Sequence, residues 1–282
     1  MRLALLFTCL ASAALAQPYE RIVTAGGDLT EVVTALGAAD SIVGIDSTST
    51  YPAEITDLPD IGYVRALSAE GVLTLRPDLL IGAYDTGPEA VLGQLQAAGV
   101  QVEIAPGGED AQSVPAKIRF VGDLLGKSRE ATALIAAYEA DMAELATALQ
   151  GVEDRPRVLF ILSMQNGAPL VGGALTAADK IIALAGGVNV ATGFDGYKPM
   201  NREAILAAAP DVILMMNGHA DRLGGVDEVL ALPEIALTPA GQNRRAITMD
   251  GMLLLGFGPR TPLAARELAR ALHPEDAAAL GQ

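Results

Sequence analysis

Tyr63 and Arg65 are the two residues of this chain whose types and spacing best suit chemistry. They lie two apart in Asp60-Ile61-Gly62-Tyr63-Val64-Arg65-Ala66-Leu67-Ser68-Ala69-Glu70, which joins a Pro-marked loop, Leu58-Pro59, to a helix. Alternate side chains of extended chain point the same way, so the spacing predicts phenol and guanidinium on one face of a ligand-facing rim. A neighbouring cation favours the ionised form of a phenol, whose ordinary pKa is about 10. The resulting phenolate is a hard anionic oxygen donor suited to ferric iron. The same spacing also fits a tyrosine packed at the base of a loop beside a solvated arginine, which is the commoner use of the two residues.

Other constellations are sparse. Only His219 and His273 are available as histidines, no serine sits in a nucleophile elbow, and no glycine-rich loop matches a phosphate cradle. Neither a His–carboxylate metal cluster nor a general base with an evident partner can be read from the chain, so a binding protein is expected rather than an enzyme. His273-Pro274 closes the last helix, where a cation is favoured at the C-terminal end. Cys9 is the single cysteine, and it falls within a leader. Disulfide, zinc-thiolate and cysteine-nucleophile chemistry are thereby excluded from the mature chain.

The elements that must position Tyr63 come from a duplication. Gly-Gly-x-Leu-Thr, Gly-Tyr, an acidic residue and Pro-Asp recur in order. Gly62-Tyr63 is matched by Gly196-Tyr197, Glu70 by Glu203, and Pro77-Asp78 by Pro210-Asp211. Two similar lobes facing each other create one cleft. Within each lobe, short apolar runs such as Asp78-Leu79-Leu80-Ile81 alternate with segments of helical period, Thr30–Leu36, Ser68–Leu75 and Pro88–Ala98 in the first. The expected class is α/β, with two similar α/β lobes joined by one long helix. Ser68 and Asn201 are placed as N-caps, and Pro77 and Pro210 as helix stops. The predicted divisions are a signal peptide over 1–16, an N-terminal lobe over 17–112, a linking helix over 113–152 that acts as a strut across the cleft, and a C-terminal lobe over 153–282.

Met1-Arg2, the apolar run Leu3 to Ala16 and the ending Ala14-Leu15-Ala16 read as a cleaved secretory signal. Acylation at Cys9 is disfavoured by Thr8 before it and by the short apolar run. The net charge of −15 repels nucleic-acid phosphates and anionic lipid heads, and it is ordinary for a soluble secreted protein.

The strings Asp46-Ser47-Thr48-Ser49-Thr50-Tyr51-Pro52 and Leu58-Pro59-Asp60-Ile61-Gly62-Tyr63-Val64-Arg65-Ala66-Leu67-Ser68-Ala69-Glu70-Gly71 resemble the periplasmic haem-binding proteins of bacterial ABC haem importers. The resemblance extends over the mature chain through Leu162-Ser163-Met164, Thr176-Ala177-Ala178-Asp179, Ala185-Gly186-Gly187-Val188-Asn189 and Leu253-Leu254-Leu255-Gly256-Phe257-Gly258-Pro259-Arg260. The Gly-Tyr-x-Arg-Ala-Leu-Ser-Ala-Glu-Gly block is its specific part; the rest is shared with vitamin B12 and siderophore binders of the same architecture.

The resemblance implies haem as a transported ligand, Tyr63 as axial ligand to its iron and Arg65 as the phenolate's neighbour. The loop expected at Ser163-Met164-Gln165-Asn166 holds no histidine, so predominantly five-coordinate haem is expected, with Met164 as an apolar wall against the porphyrin and a weak alternative ligand. Arg222 resembles the family's propionate-binding arginine, with His219 and Lys198 as competitors. Glu70 and Glu203, each seven residues before a Pro-Asp, imply docking onto arginines of a two-fold permease dimer. The implied protein is a periplasmic monomer, downstream of an outer-membrane haem receptor, that touches the membrane only through the permease and binds no nucleic acid. Cobalamin or a ferric siderophore is the alternative cargo, and an extracytoplasmic enzyme the reading from a different class.

Overall fold

The computed structural model describes residues 19–281, so the leader expected over residues 1–16 lies outside the described residues. A four-stranded sheet comes first, built of β1 (Ile22–Ala25), β2 (Ile42–Ile45), β3 (Leu79–Gly82) and β4 (Gln101–Ile104). Its order is β2-β1-β3-β4, and every pairing is parallel. Helices α1 (Gly27–Ala35), α2 (Ala69–Thr74) and α3 (Glu89–Ala97) make the connections. The central strands β1 and β3 are buried along their whole length, which is why they read as continuous apolar runs instead of alternating ones.

The stretch expected to be one linking helix is two, α4 (Val114–Leu124) and α5 (Ser128–Leu149). Gly126 takes φ 66°, Lys127 N–H donates to Gly122 C=O at 2.6 Å and Gly126 N–H to Asp123 C=O at 3.4 Å. This is a Schellman closure, which satisfies the last carbonyls of α4 and stops it. A side chain at Gly122 would stand 2.4 Å from the Ala131 Cβ, so that glycine lets α5 fold back against α4. The long α5 remains as the strut, while α4 packs on α1.

The second lobe opens with β5 (Arg157–Gln165) and β6 (Ala168–Gly172), an antiparallel hairpin, followed by α6 (Ala177–Leu184), β7 (Val188–Asn189) and β8 (Tyr197–Pro199). Then come α7 (Arg202–Ala208), β9 (Val212–Met216), α8 (Asn217–Arg222), α9 (Val226–Ala231), α10 (Pro239–Gln242), β10 (Ala246–Met249), α11 (Gly251–Leu255) and α12 (Thr261–Leu272). The sheet runs β10-β9-β5-β6-β8 with β7 beside β5. Ser163-Met164-Gln165 is therefore ladder, not the loop expected there. Only Asn166-Gly167 turns, with φ of 51° and 80°, as a two-residue hairpin requires.

Each Pro-Asp landmark does the same structural work. Arg21 donates from Nη2 to Leu75 C=O at 2.6 Å and from Nε to Arg76 C=O at 3.0 Å, satisfying carbonyls at the end of α2. Arg157 does this for α7 through Ala208 C=O at 2.7 Å and Ala209 C=O at 3.3 Å. Asp78 accepts from Arg21 N–H at 3.2 Å, and Asp211 from Arg157 N–H at 2.9 Å.

The lobes are joined by more than the strut. The segment holding α11 and α12 returns to α1: Lys117 Nζ lies 2.6 Å from Asp28 Oδ2 and 3.2 Å from Phe257 C=O, and Arg260 grips Glu31 with Nε and Nη2. One apolar cluster continues across this seam, from Leu29 and Val33 through Ile118 and Tyr138 to Phe257, Ala264 and Leu268. No helix among the described residues is long and apolar enough to cross a membrane. Because Lys117 and Asp28 are both buried, Lys117→Met leaves an unpaired buried carboxylate and is expected to cost about 3–5 kcal/mol in urea unfolding. Adding Asp28→Asn is expected to recover most of that loss.

Candidate functional site

The loops after the C-terminal ends of β2 and β3 build the rim that carries Tyr63. Buried Asp46, the residue after β2, organises the first of them: Oδ1 accepts from Gly26 N–H at 3.0 Å and Ser49 Oγ at 2.8 Å, and Oδ2 from Thr48 Oγ1 at 2.7 Å. Ser47 N–H then donates to Gly62 C=O at 2.9 Å, fixing the peptide before Tyr63. The polar string Asp46 to Thr50 thus supports the rim from beneath.

Tyr63 and Arg65 do not lie in extended chain as expected. Ala66 N–H donates to Tyr63 C=O at 2.7 Å, so the four residues form a turn. Val64 is buried under it and bonded through its carbonyl to Gly87 N–H at 3.0 Å, which forces the bend. Phenol and guanidinium nonetheless meet: Tyr63 is 44% exposed, and the Arg65 Cζ lies 5.9 Å from its ring centroid.

Two carboxylates that sequence reasoning missed, Asp85 and Glu109, engage Arg65. Asp85 Oδ2 accepts from Nε, and Glu109 Oε1 stands 3.6 Å from Nη2. Burial works to lower the Arg65 pKa, but the Asp85 bond and the surrounding negative charge raise it overall. Asp85 was findable, since it follows the strand begun by Pro77-Asp78 and ligands of α/β sheets gather at strand C-terminal ends. Glu109 follows β4 in the same way.

Two other tyrosines of this region, Tyr84 and Tyr197, are held as neutral phenols. Tyr84, 47% exposed, donates to Glu109 Oε1 at 3.3 Å, and burial followed by the Glu109 and Asp85 charges pushes its pKa up to about 12. Tyr197, the repeat partner of Tyr63, is half-buried and makes an edge-type contact with Phe160, centroids 6.5 Å apart. Burial, then the charge of Glu109, raises it to about 12 as well. Tyr51 stacks on Arg260, whose Cζ is 3.7 Å from the ring centroid while Glu31 holds the guanidinium.

The second lobe meets this rim through Tyr197 and through Lys180, whose Nζ is 3.6 Å from Asp110 Oδ2. Among the described residues no contact brings Met164, Lys198, His219 or Arg222 to Tyr63. Met164 is half-buried in β5 opposite Pro169, and Lys198 lies over the Phe194 ring at 5.5 Å. His219 and exposed Arg222 share α8, and burial followed by the Arg222 charge lowers the His219 pKa. His273 is also lowered, chiefly by burial, and its Nε2 is 3.2 Å from Ala185 C=O, so it is a neutral core residue and not the helix-end cation expected. Glu70 and Glu203 are exposed at the second positions of α2 and α7, behind caps in which Ser68 and Asn201 accept from Gly71 and Ala204 N–H.

The model of the family described as periplasmic binding protein matches residues 22–253. The chain is 42% identical to the periplasmic heme-binding protein BhuT, solved in complex with two hemes, covering 93% of this chain and 99% of that one with a TM-score of 0.85. The periplasmic heme-binding protein RhuT from Roseiflexus sp. RS-1, in apo form, is likewise 42% identical over 93% of this chain and 99% of its own, with a TM-score of 0.86. A cobalamin-binding protein of Halobacterium salinarum is 28% identical over 90% of this chain and 69% of its own length.

Because Tyr84 and Tyr197 stay protonated to about pH 12 when folded but ionise near 10 when unfolded, the folded state holds more protons across that window. Their contribution to stability is complete below pH 10 and is lost as pH rises toward 12. Urea unfolding across this range is expected to show the decline, and Tyr84→Phe with Tyr197→Phe to flatten it.

Proposed function

The chain belongs to the periplasmic binding protein family, and from that premise we propose that it captures haem outside the cytoplasm and delivers it to an ABC permease. The observation that carries the reading is the Tyr63 phenol, exposed on the rim beside a guanidinium while its neighbours Tyr84 and Tyr197 are held neutral. One exposed phenol supplies one bond to a metal. The remaining positions are then the cargo's own, as a tetrapyrrole supplies them to its iron. The 42% identity to two proteins titled heme-binding supports haem in particular.

In this reading Tyr63 is the iron ligand and Arg65 its electrostatic neighbour. Arg222, Lys198 and His219 of the second lobe are the candidate partners for the propionates, and Met164 for an apolar wall. The seam of Lys117, Asp28, Glu31 and Arg260 limits how far the lobes can part. Release then comes from permease binding, since only a partner that prefers the weaker-binding state can drive cargo out. Glu70 and Glu203, at equivalent exposed helix starts in the two repeats, suit two equivalent basic sites on a two-fold permease. No bond of the cargo is broken. A corrinoid is the second reading, favoured by the cobalamin-binding relative.

Titration of the purified protein with hemin is expected to give a ferric tyrosinate spectrum, and cyanocobalamin in its place little or no binding. Tyr63→Phe is expected to remove that spectrum and weaken binding by more than the roughly 10–100-fold that loss of an outer-shell partner costs; an unchanged spectrum rules Tyr63 out as the ligand. Glu70→Ala with Glu203→Ala is expected to abolish import in cells while hemin binding in solution is preserved, and undiminished import would remove the docking assignment.

A further inference from the structure

Arg65 is shared. Asp85 holds its Nε and Glu109 lies 3.6 Å from its Nη2, so both carboxylates approach one edge of the guanidinium; among the described residues Nη1 has no partner. Two carboxylates against one guanidinium leave this part of the rim with a formal charge of −1. The groups packed around it do not cancel that charge. Tyr84 is a neutral phenol that donates to Glu109, Tyr197 is a second neutral phenol, and Lys180 is occupied by Asp110 at 3.6 Å. Asp85 and Glu109 are part-buried on the loops after β3 and β4.

We propose that Asp85 and Glu109 are positioning residues for Arg65, and that their excess negative charge makes the rim prefer a ferric porphyrin over the same porphyrin reduced. The inference rests on the haem reading of Tyr63. Ferric iron in a dianionic porphyrin ring leaves that core with one net positive charge and ferrous iron leaves it with none, so the same site holds one more negative charge after reduction. A negative rim stabilises the ferric form relative to the ferrous one, the more so because both carboxylates are part-buried and charges there interact more strongly than in bulk water.

The test compares wild type, Asp85→Asn, Glu109→Gln, the double variant and Asp85→Glu, each loaded with hemin. The midpoint potential of the bound iron is read by spectroelectrochemistry, and affinity for metal-free protoporphyrin IX is measured as a control for the loops. Each amide variant is expected to keep the tyrosinate spectrum, to shift the potential upward, further in the double, and to bind metal-free protoporphyrin IX as the wild type does; Asp85→Glu restores the potential. An unchanged potential would overturn the proposal. Equal loss of both porphyrins would overturn it too, since it would assign the carboxylates to holding the loops alone. A wild type that binds no hemin, or a Tyr63→Phe variant that binds it unchanged, would remove the haem reading itself and this inference with it.

Discussion

One ammonium group ties together parts of the chain that sequence order keeps far apart. Lys117 rises from the first of the two connecting helices, takes the carboxylate of Asp28 at the start of α1 and the carbonyl of Phe257 in the returning C-terminal segment, and is buried in doing so. A buried charge is tolerated only when paired and hydrogen-bonded, so each of the three partners is constrained by the other two. Arg260 and Glu31 repeat the arrangement one turn further along α1. The seam between the lobes is therefore a packed and charge-matched joint, with Leu29, Ile118 and Phe257 in one apolar cluster around it.

The duplication makes two lobes of like construction but not of like chemistry. Arg21 and Arg157 close the ends of α2 and α7 in the same manner, and Asp78 and Asp211 lock them. Gly62-Tyr63 and Gly196-Tyr197 hold matching places in the two repeats. Yet Tyr63 projects from a turn beside a guanidinium, whereas Tyr197 lies against Phe160 with its proton held to about pH 12. The residue type is the same, and what holds the second phenol protonated is its burial and the neighbouring charge of Glu109.

Much of the fold was legible because it rests on local rules. The strand runs, the N-caps at Ser68 and Asn201 and the stops at Pro77 and Pro210 follow from periodicity and end chemistry. The break between α4 and α5 was legible too, in Gly122 and Gly126, but helical spacing on either side of it concealed a closure that only the left-handed Gly126 makes. Likewise Asn166-Gly167 announced a hairpin where a ligand-facing loop was expected. The Tyr63–Arg65 pair was found for a reason the structure replaced: the two side chains meet across a turn forced by buried Val64, not along an extended strand.

What the amino-acid order determined by itself is the repeat, the α/β alternation and the presence of a phenol and a guanidinium two residues apart, because all of these are properties of neighbours in the chain. Tertiary structure alone decided which charges surround that pair. Asp85 and Glu109 reach Arg65 across 20 and 44 residues of sequence, and no periodicity relates such positions. They are brought together because parallel strands discharge their loops at one edge of the sheet, so the electrostatics of the site belong to the topology and not to the motif.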